Sequence, residues 1–241
     1  NEGNDGTLDW LATQTDIDYL HAAQNVGICY GLNMCRSLVK ADYMVYLNDD
    51  MYVLPQWDVI LLHEVEQMPT KAFMLSATLI EPHHTGNACV IVKDYGKDLN
   101  SFNEKLLLEE YQQFVRSDWM GSTWPPNLIH VDLWDMVGGL SIEFSPGMYS
   151  DPDLAKKLYE AGVRVFKGKG NSLVYHFGSK STKRIRTNKG RLTFLQKWGI
   201  TANTFNTHYL KMGTNYSGPI KEPQLNFLTR LTNRVKRILN S

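Results

Sequence analysis

A short apolar run that ends in three polar residues does most to limit how this chain can fold. Residues 43–47 are all apolar or aromatic, and Asn48, Asp49 and Asp50 follow at once. Such a run predicts a strand that is buried on both faces, as in sheets covered by helices on either side. Ligands of open parallel sheets bind beyond the carboxyl ends of the strands. The two acids are therefore predicted to lie where binding or catalysis takes place.

Helical and strand patterns alternate along the chain, which predicts βα units in one main α/β domain. The patterns predict helices at 7–14, 31–40, 58–67, 103–116 and 151–161, and further strands at 73–79, 163–166 and 173–175. A turn is expected at 167–171, between the last two strands. We expect a three-layer α/β sandwich with a mostly parallel central sheet over residues 1–215.

Composition narrows the classes of function. The 241 residues include 25 basic and 25 acidic side chains, so the formal net charge is zero and no overall field attracts nucleic acid. The three cysteines show no metal-ligand spacing, which fits a reducing setting. No stretch approaches the roughly 20 apolar residues that span a bilayer. We therefore expect a cytoplasmic protein that does not bind nucleic acid.

A basic amphipathic helix is predicted in the C-terminal segment, residues 216–241. Leu228, Leu231 and Val235 share one face of this helix, and the basic residues lie largely elsewhere. Helices of this type either pack on their own domain or lie on a membrane surface. Peripheral contact with the inner face of a membrane is therefore one of two interpretations.

Two residues remote in sequence are candidates for a metal site. Asp50 ends the polar triplet, and His176 directly follows the strand at 173–175. A carboxylate and an imidazole together suit a divalent cation, which would in turn neutralise a diphosphate. The alternatives are a plain turn at Asp50 and a structural histidine that is bonded to the backbone.

Asp151 and Asp153 are the candidates for a catalytic base. The transfer of a group to a hydroxyl needs one carboxylate to take the hydroxyl proton. Asp151 precedes Pro152, however, and Asp followed by Pro is also a common start of a helix. Both interpretations stay open on the local pattern.

The stretch 180–191 is dense in Lys and Arg and is predicted to be a loop. Its residues Lys183, Arg184 and Arg186 could close over phosphates as charge-assisted donors. A solvated surface stretch is the alternative.

The order of these motifs resembles that of the family 2 glycosyltransferases over residues 1 to about 200. His176 falls where many relatives place a metal-ligating histidine. The resemblance places the family's first strand and most of its second before Asn1. The other matching segments are Asn4-Asp5-Gly6-Thr7, similar to the end of the family's nucleotide-binding turn; Asn25-Val26-Gly27 with Gly31-Leu32-Asn33; the strand and DxD motif at 43–50; Gly138-Gly139 with Ser150 to Leu154; and Phe194 with Lys197-Trp198-Gly199.

The resemblance implies a GT-A fold and a metal-assisted, inverting transfer of a sugar. The donor would be a nucleotide-diphosphate sugar, and the acceptor a saccharide or lipid-linked saccharide in bacterial-type polysaccharide or cell-surface glycan synthesis. Asp50 and His176 would hold Mg²⁺ or Mn²⁺, and Asp151 would be the base, with Asp153 as its rival. The implied donor-binding residues are Asn25, Gly27, Asn33, Asn48, Asp49, Lys183, Arg184 and Arg186. The acceptor side would comprise Trp119, Trp124, Gly138 and Gly139, with His83, His84 and Trp134 in the same region.

Two positions depart from the family pattern. Asn48 stands where the first DxD acid is usual, and Ser150 stands where a Glu usually precedes the base. These departures keep a non-catalytic carbohydrate-binding protein as an alternative. A nucleotidyltransferase is another, although no Gly-rich, Lys-bearing phosphate loop is visible near the start.

Overall fold

A mixed sheet of seven strands forms the centre of the computed structural model, which describes residues 2–178 and 188–239. The strands are β1 (Tyr43–Tyr46), β2 (Met51–Val53), β3 (Phe73–Glu81), β4 (Ile91–Val92), β5 (Trp119–Met120), β6 (Asn127–His130) and β7 (Val165–His176). Five of them lie in the order β1-β6-β3-β7-β2, while β4 pairs with β3 and β5 with β7.

The direction of the strands differs from the sequence prediction. Among the described strands, the β3–β7 and β3–β4 pairs are parallel, and the β1–β6, β3–β6, β2–β7 and β5–β7 pairs are antiparallel. The prediction of a mostly parallel sheet is therefore wrong. Strand direction depends on how the long connections cross the sheet, and local hydrophobic patterns carry no information about that.

The first predicted strand lies at the edge of the sheet. β1 pairs with β6 alone, and Val45 and Leu47 are 37% and 38% exposed. The central strand is instead β3, in which every residue is buried. An apolar run thus predicted a strand correctly at 43–47 but assigned it to the wrong place in the sheet.

β7 is continuous where a turn was predicted at 167–171. The register against β3 shifts there, because Ala77 lies opposite Lys169 and the next residue, Thr78, lies opposite Leu173. Gly168 makes the close packing possible, since a Cβ at this position would lie 1.8 Å from a ring carbon of Trp119. Gly168 therefore allows Trp119 to pack closely against an irregular strand, and it does not form a turn between two strands.

Helices cover both faces of the sheet, which confirms the three-layer arrangement. Phe73 and Leu75 of β3 pack with Leu61 on one face, whereas Met74 packs with Leu154 on the other, as the alternation of side chains along a strand requires. The helices are α1 (Thr7–Leu11), α2 (Gly27–Cys35), α3 (Trp57–Gln67), α4 (Glu104–Glu110), α5 (Val131–Val137), α6 (Ser150–Glu160), α7 (Gly190–Trp198), the short α8 (Ala202–Thr204) and α9 (Phe227–Leu239). A π-helical turn, Phe205–Tyr209, follows α8 directly.

The C-terminal helix α9 packs on the rest of the chain through its polar side. Asn233 is buried, and its side-chain oxygen accepts hydrogen bonds from the Thr201 amide and the Thr204 hydroxyl at 3.0 and 3.1 Å. The apolar face points outward, with Leu228 71% and Ile238 61% exposed. Within the described ranges, no helix is both long and apolar enough to cross a membrane.

Candidate functional site

The two predicted metal ligands lie side by side. β2 runs antiparallel to β7, so that Met51 lies opposite His176 and the preceding residue, Asp50, reaches the imidazole. The Asp50 Oδ1 and His176 Nε2 atoms are 3.2 Å apart. This is an ion-pair distance without the alignment of a hydrogen bond, and Nε2 is buried with no hydrogen-bond partner. The pair therefore presents one oxygen and one nitrogen at the same point.

Glu81 fixes the other side of the imidazole, a role that the sequence analysis missed. Its Oε1 atom lies 2.7 Å from His176 Nδ1, and the residue is buried at the end of β3. Burial lowers the pKa of His176, but the two flanking carboxylates, Asp50 and Glu81, outweigh this effect and raise the pKa to about 9. The signal that could have identified Glu81 is its place as the acid that ends an apolar strand, beside His176.

The residues present fit a divalent cation. A carboxylate such as Glu81 that bonds one nitrogen of a histidine orients the other nitrogen toward a metal. Asp50 and His176 would then be two protein ligands, and Mg²⁺ or Mn²⁺ commonly completes its shell with water and phosphate oxygens. The side-chain oxygen of Asn48 is also buried without a partner. No group of three or more His, Cys, Asp or Glu side chains suited to a metal occurs in the described part of the chain.

Asp151 carries a buried carboxylate oxygen that has no hydrogen-bond partner. It lies at the start of α6, after Tyr149, whose φ of 73° turns the chain into the helix. The unpaired oxygen is Oδ1, and burial raises the pKa of this carboxyl to about 7. A carboxyl whose pKa lies near neutrality can accept a proton with the largest useful driving force at physiological pH.

Asp153, the rival candidate, is fully engaged in packing. Its carboxylate accepts hydrogen bonds from the Ser141 hydroxyl at 2.6 Å and the Trp198 indole at 2.8 Å. Lys197 Nζ lies 3.0 Å from the same group, and the residue is completely buried. These contacts connect α6 with α7 and with the segment before α6, which contains Ser141. Asp153 therefore has a structural role.

A cavity of about 850 Å³ opens beside Asp151. It is lined by the loop 85–88, by Trp124, by residues 147–149 and 151–152, and by parts of the segment 202–214. Trp124 is the one predicted acceptor residue that reaches this cavity. Its indole nitrogen and the side-chain oxygen of Asn206, another lining residue, are shielded from solvent and have no hydrogen-bond partner.

A short chain of contacts connects the cavity with the Asp50–His176 pair. Thr85 lines the cavity, and its hydroxyl donates to Glu81 Oε2 at 3.2 Å. Glu81 in turn holds His176. Burial raises the pKa of the Tyr46 phenol, and the nearby charges of Asp151 and Asp50 raise it further. The Asp50–His176 pair and Asp151 therefore lie at the same end of the sheet.

The other residues predicted for the acceptor side lie elsewhere. Trp119 and Trp134 are each only 4% exposed, and the Trp119 indole donates to the Thr78 hydroxyl at 2.7 Å. Gly138 has a left-handed conformation that ends α5, and a Cβ on Gly139 would collide with Trp134. These positions serve packing and chain direction. His83 and His84 are exposed on the loop that precedes the cavity lining.

The residues predicted to bind the donor have mixed positions. Asp49 is exposed, and Asn25 accepts a hydrogen bond from the Gly27 amide at 2.9 Å, at the start of α2. Gly27 packs so closely against Pro146 that a Cβ at position 27 would lie 2.7 Å from the Cα of Pro146. Both groups of the Asn33 amide are bonded to the backbone of Leu140. The predicted phosphate cover, Lys183, Arg184 and Arg186, lies outside the described residues.

The fold is a mixed α/β fold with a central sheet between helices. It is similar to the crystal structure of GalNAc-T7 with UDP, GalNAc and Mn²⁺, with a TM-score of 0.51 and 10% sequence identity. The match covers 79% of this chain and 36% of GalNAc-T7, so the chain spans little more than a third of that protein. No protein-family model and no curated protein matches the sequence. The likeness therefore concerns the fold, and membership of family 2 stays a prediction.

Proposed function

We propose that this chain transfers a sugar from a nucleotide-diphosphate sugar to a hydroxyl of a saccharide or lipid-linked saccharide, with inversion at the anomeric carbon. One observation carries the proposal. Six buried side-chain polar atoms among the described residues have no hydrogen-bond partner, and five of them belong to residues that line the cavity or that lie in or next to the Asp50–His176 pair. Native proteins rarely leave such atoms unpaired, so a cluster of them indicates a site for a polar ligand. The five residues are Asn48, Trp124, Asp151, His176 and Asn206.

The donor half of the proposed site comprises Asp50, His176 and their neighbours. Asp50 and His176 would hold Mg²⁺ or Mn²⁺, and Glu81 would keep the imidazole in the orientation that ligation needs. A bound divalent cation would neutralise the charge that develops on the departing diphosphate. Asp49, exposed beside this pair, would face the donor.

Asp151 would act as the base in this proposal. The acceptor oxygen attacks the anomeric carbon while the bond from that carbon to the diphosphate oxygen breaks, and the hydroxyl proton passes to Asp151 Oδ1. The proposal assigns this step to Asp151 because its Oδ1 atom is unpaired and the residue lines a cavity, whereas the Asp153 carboxylate already has three partners. In-line attack from the side opposite the diphosphate would invert the configuration.

Further parts of the proposal rest on the sequence alone. Asn25, Gly27 and Asn33 would lie along the nucleotide side of the donor site. The basic residues Lys183, Arg184 and Arg186 would cover the diphosphate. Synthesis of a bacterial-type polysaccharide or surface glycan on the cytoplasmic side of a membrane would supply a lipid-linked acceptor.

We also propose that α9 lies on an anionic membrane surface. The face of α9 opposite Asn233 is apolar and exposed, and the helix carries four basic residues and no acidic residue. Exposed apolar side chains on a basic helix match the chemistry of a bilayer interface that contains anionic lipids. The buried Asn233 contacts fix the helix so that this face points away from the body.

The test is incubation with isotopically labelled nucleotide sugars and Mn²⁺. Slow release of the free nucleoside diphosphate without acceptor, abolished by EDTA, is the expected result. With an acceptor, Asp151→Asn should lose transfer and keep donor binding, while an Asp153→Asn variant that folds should retain transfer in proportion to its folded fraction. Failure of every nucleotide sugar to bind or react would overturn the proposal.

A non-catalytic carbohydrate-binding protein is the second candidate. Asn48 in place of an acid and the lack of a three-residue metal group in the described ranges favour it. Such a protein would bind glycans equally well with and without Mn²⁺ and would release no diphosphate from any donor.

A further inference from the structure

The segment between β4 and β5, which includes α4, packs on the strands that border Asp50 and His176. One apolar cluster joins this segment to β2 and β7. Its members from the segment are Tyr95, Phe102, Leu107, Tyr111 and Phe114, and its members from β2, β7 and the residue after β7 are Tyr52, Leu173, Tyr175 and Phe177. The packing of the segment therefore bears on both strands next to the proposed metal ligands.

Phe102 contacts both strands through one ring. Its centroid lies 5.0 Å from the ring centroid of Tyr52, 5.6 Å from that of Tyr175 and 4.9 Å from that of Phe177. The Tyr175 ring is stacked on Phe102 at an interplanar angle of 21°, and the other two rings meet it edge-on. Aromatic pairs favour these offset-stacked and edge-to-face arrangements over others. One ring therefore fixes the positions of three others.

The three rings belong to residues that flank the ligand pair. Tyr52 lies two residues after Asp50, and Tyr175 and Phe177 lie on either side of His176. Tyr52 is opposite Tyr175 in the register of β2 and β7, and the Phe177 amide donates to the Asp50 carbonyl at 3.1 Å. A ring that packs on all three residues therefore holds the backbone that carries both ligands.

Phe102 and His176 lie on opposite faces of the β2–β7 pair. Successive side chains of a strand point to opposite faces of the sheet, so Tyr175 points away from the face that His176 occupies. His176 shares its face with Met51, its partner in the register, and Met51 packs in a different cluster from Tyr175. Because Phe102 stacks on Tyr175, it acts on the ligand pair through the backbone and not through contact with a cation.

The loop that carries Phe102 is closed on itself and bonded to β7. The Asn103 amide donates to the Tyr95 carbonyl at 2.7 Å. Gly96, with a φ of 119°, permits this closure, because a Cβ there would lie 2.3 Å from a backbone oxygen across the loop. The Tyr175 hydroxyl donates to the Gly96 carbonyl at 2.6 Å and accepts from the Tyr95 amide at 3.0 Å. The loop therefore holds the Phe102 ring in a fixed place relative to β7.

We infer that Phe102 is a positioning residue, which fixes the separation of Asp50 and His176 before a divalent cation binds. The inference rests on the metal site of the proposed glycosyl transfer and adds a residue on which the affinity of that site depends. Ligands that are already held near their final separation lose less conformational freedom when the cation binds, so the affinity is higher. A smaller side chain at position 102 leaves a gap beside Tyr175 and Phe177 and loosens the ligand pair.

Phe102→Leu tests the inference, with Phe114→Leu as the matched control. Both changes remove a partly buried phenylalanine ring from the same cluster, but Phe114 contacts the ring of Tyr95 instead of the rings that flank the ligand pair. Phe102→Met, which fills more of the same space, is the second variant. Electron paramagnetic resonance measures the affinity for Mn²⁺, alone and with UDP. NMR of the His176 imidazole in the metal-free protein reports the position of this ligand, and urea unfolding measures the stability of each variant.

We expect Phe102→Leu to weaken Mn²⁺ binding about tenfold, at the lower end of the effects of residues that orient a metal ligand. Phe102→Met should weaken it less. Phe102→Leu should also shift or broaden the His176 imidazole resonances. Phe114→Leu should lose a similar amount of stability and keep the native Mn²⁺ affinity and the native resonances.

Equal Mn²⁺ affinities of the Phe102 and Phe114 variants would overturn the positioning role, as would a weaker affinity of Phe102→Leu with unchanged His176 resonances. In either case the metal site itself would stand, because the native chain would still bind Mn²⁺. A native chain that binds no Mn²⁺, with or without UDP, would overturn the metal site of the proposed function and this inference with it.

Discussion

Asp151 and Asp153 lie two residues apart at the start of one helix, and their surroundings are opposite. The Asp153 carboxylate is matched by a hydroxyl, an indole and an ammonium group. The Asp151 carboxylate is buried beside a cavity with one oxygen unpaired. Sequence reasoning identified both acids but could not separate them, because the partners of Asp153 come from residues 141, 197 and 198. Contacts with residues remote in sequence therefore distinguish the structural acid from the catalytic candidate.

The raised pKa of Asp151 predicts a pH-dependent gain of stability in Asp151→Asn. Burial raises this pKa from 3.8 to about 7, so the folded state favours the protonated carboxyl. The protonated carboxyl therefore makes its full contribution to the free energy of unfolding below pH 4. This contribution is lost as the pH rises through 7, and the free energy of unfolding falls by up to about 4 kcal/mol. Asn cannot ionise, so the variant should be more stable than the native chain at pH 8 and nearly equal to it at pH 4. Urea unfolding at both pH values measures the difference.

The control for this prediction is Asp153→Asn. Removal of a buried charge that is paired with Lys197 should destabilise the chain at both pH values. A difference between Asp151→Asn and the native chain that does not change with pH would contradict the assigned pKa of Asp151.

Glu81 should control metal affinity without touching the metal. Glu81→Gln removes the charge that holds His176 Nδ1 while keeping the size of the side chain. We expect Mn²⁺ binding in the presence of UDP to weaken about tenfold or more, as for other residues that orient a metal-ligating histidine. Isothermal calorimetry measures the affinity. Glu104→Gln, at an exposed acid bonded to Tyr52, is the matched control. An unchanged affinity would show that Glu81 only packs.

At the scale of elements, local pattern predicted most helices and strands and misplaced some of them. The helices at α3, α6 and α9 and the strands at β1, β3 and β7 were all expected from hydrophobic spacing. The turn predicted at 167–171 is instead an irregular part of β7, because its glycines admit the ring of Trp119. Spacing within one segment cannot reveal what packs against it, and at this position the packing decided the structure.

The amphipathic pattern of α9 was predicted, but the side on which it packs was not. We expect the chain to bind vesicles of phosphatidylcholine and phosphatidylserine in sedimentation, and to bind phosphatidylcholine alone much less. Leu231→Gln combined with Val235→Gln should abolish binding, and Arg234→Gln should weaken it about fivefold at low salt, since one cation near such a surface contributes about 1 kcal/mol. All three residues are exposed on the helix.

The matched control for α9 is Leu99→Gln, which changes an exposed leucine outside the helix. It should leave vesicle binding unchanged. Equal binding to neutral and anionic vesicles would contradict the membrane proposal, as would concentration-dependent self-association that the Leu231 and Val235 changes abolish.

At the scale of the whole molecule, the site is assembled from segments that the sequence keeps far apart. The cavity takes its lining from loop 85–88, Trp124, the start of α6 and the segment 202–214. Asp50, Asp151 and His176 could be named as candidates from the sequence because each follows a strand or starts a helix. Asn206 and Glu81 escaped prediction because their importance lies in unpaired or ion-paired atoms that only the packed chain brings together. The sheet directions escaped it for the same reason.

The last prediction concerns the stability of the whole chain when it binds ligand. A ligand that binds only the folded state at 100 times its dissociation constant adds about 2.7 kcal/mol, which for a domain of this size raises the melting temperature by roughly 5–10 °C. Among UDP, GDP, ADP and dTDP, at least one should produce this shift with Mn²⁺ and lose it in EDTA. Asp50→Asn should abolish the shift, because it removes a proposed metal ligand, whereas Asp16→Asn, at an exposed acid, should keep it. A shift of equal size in EDTA would show that the nucleotide binds without the cation, and the roles assigned to Asp50 and His176 would then be wrong.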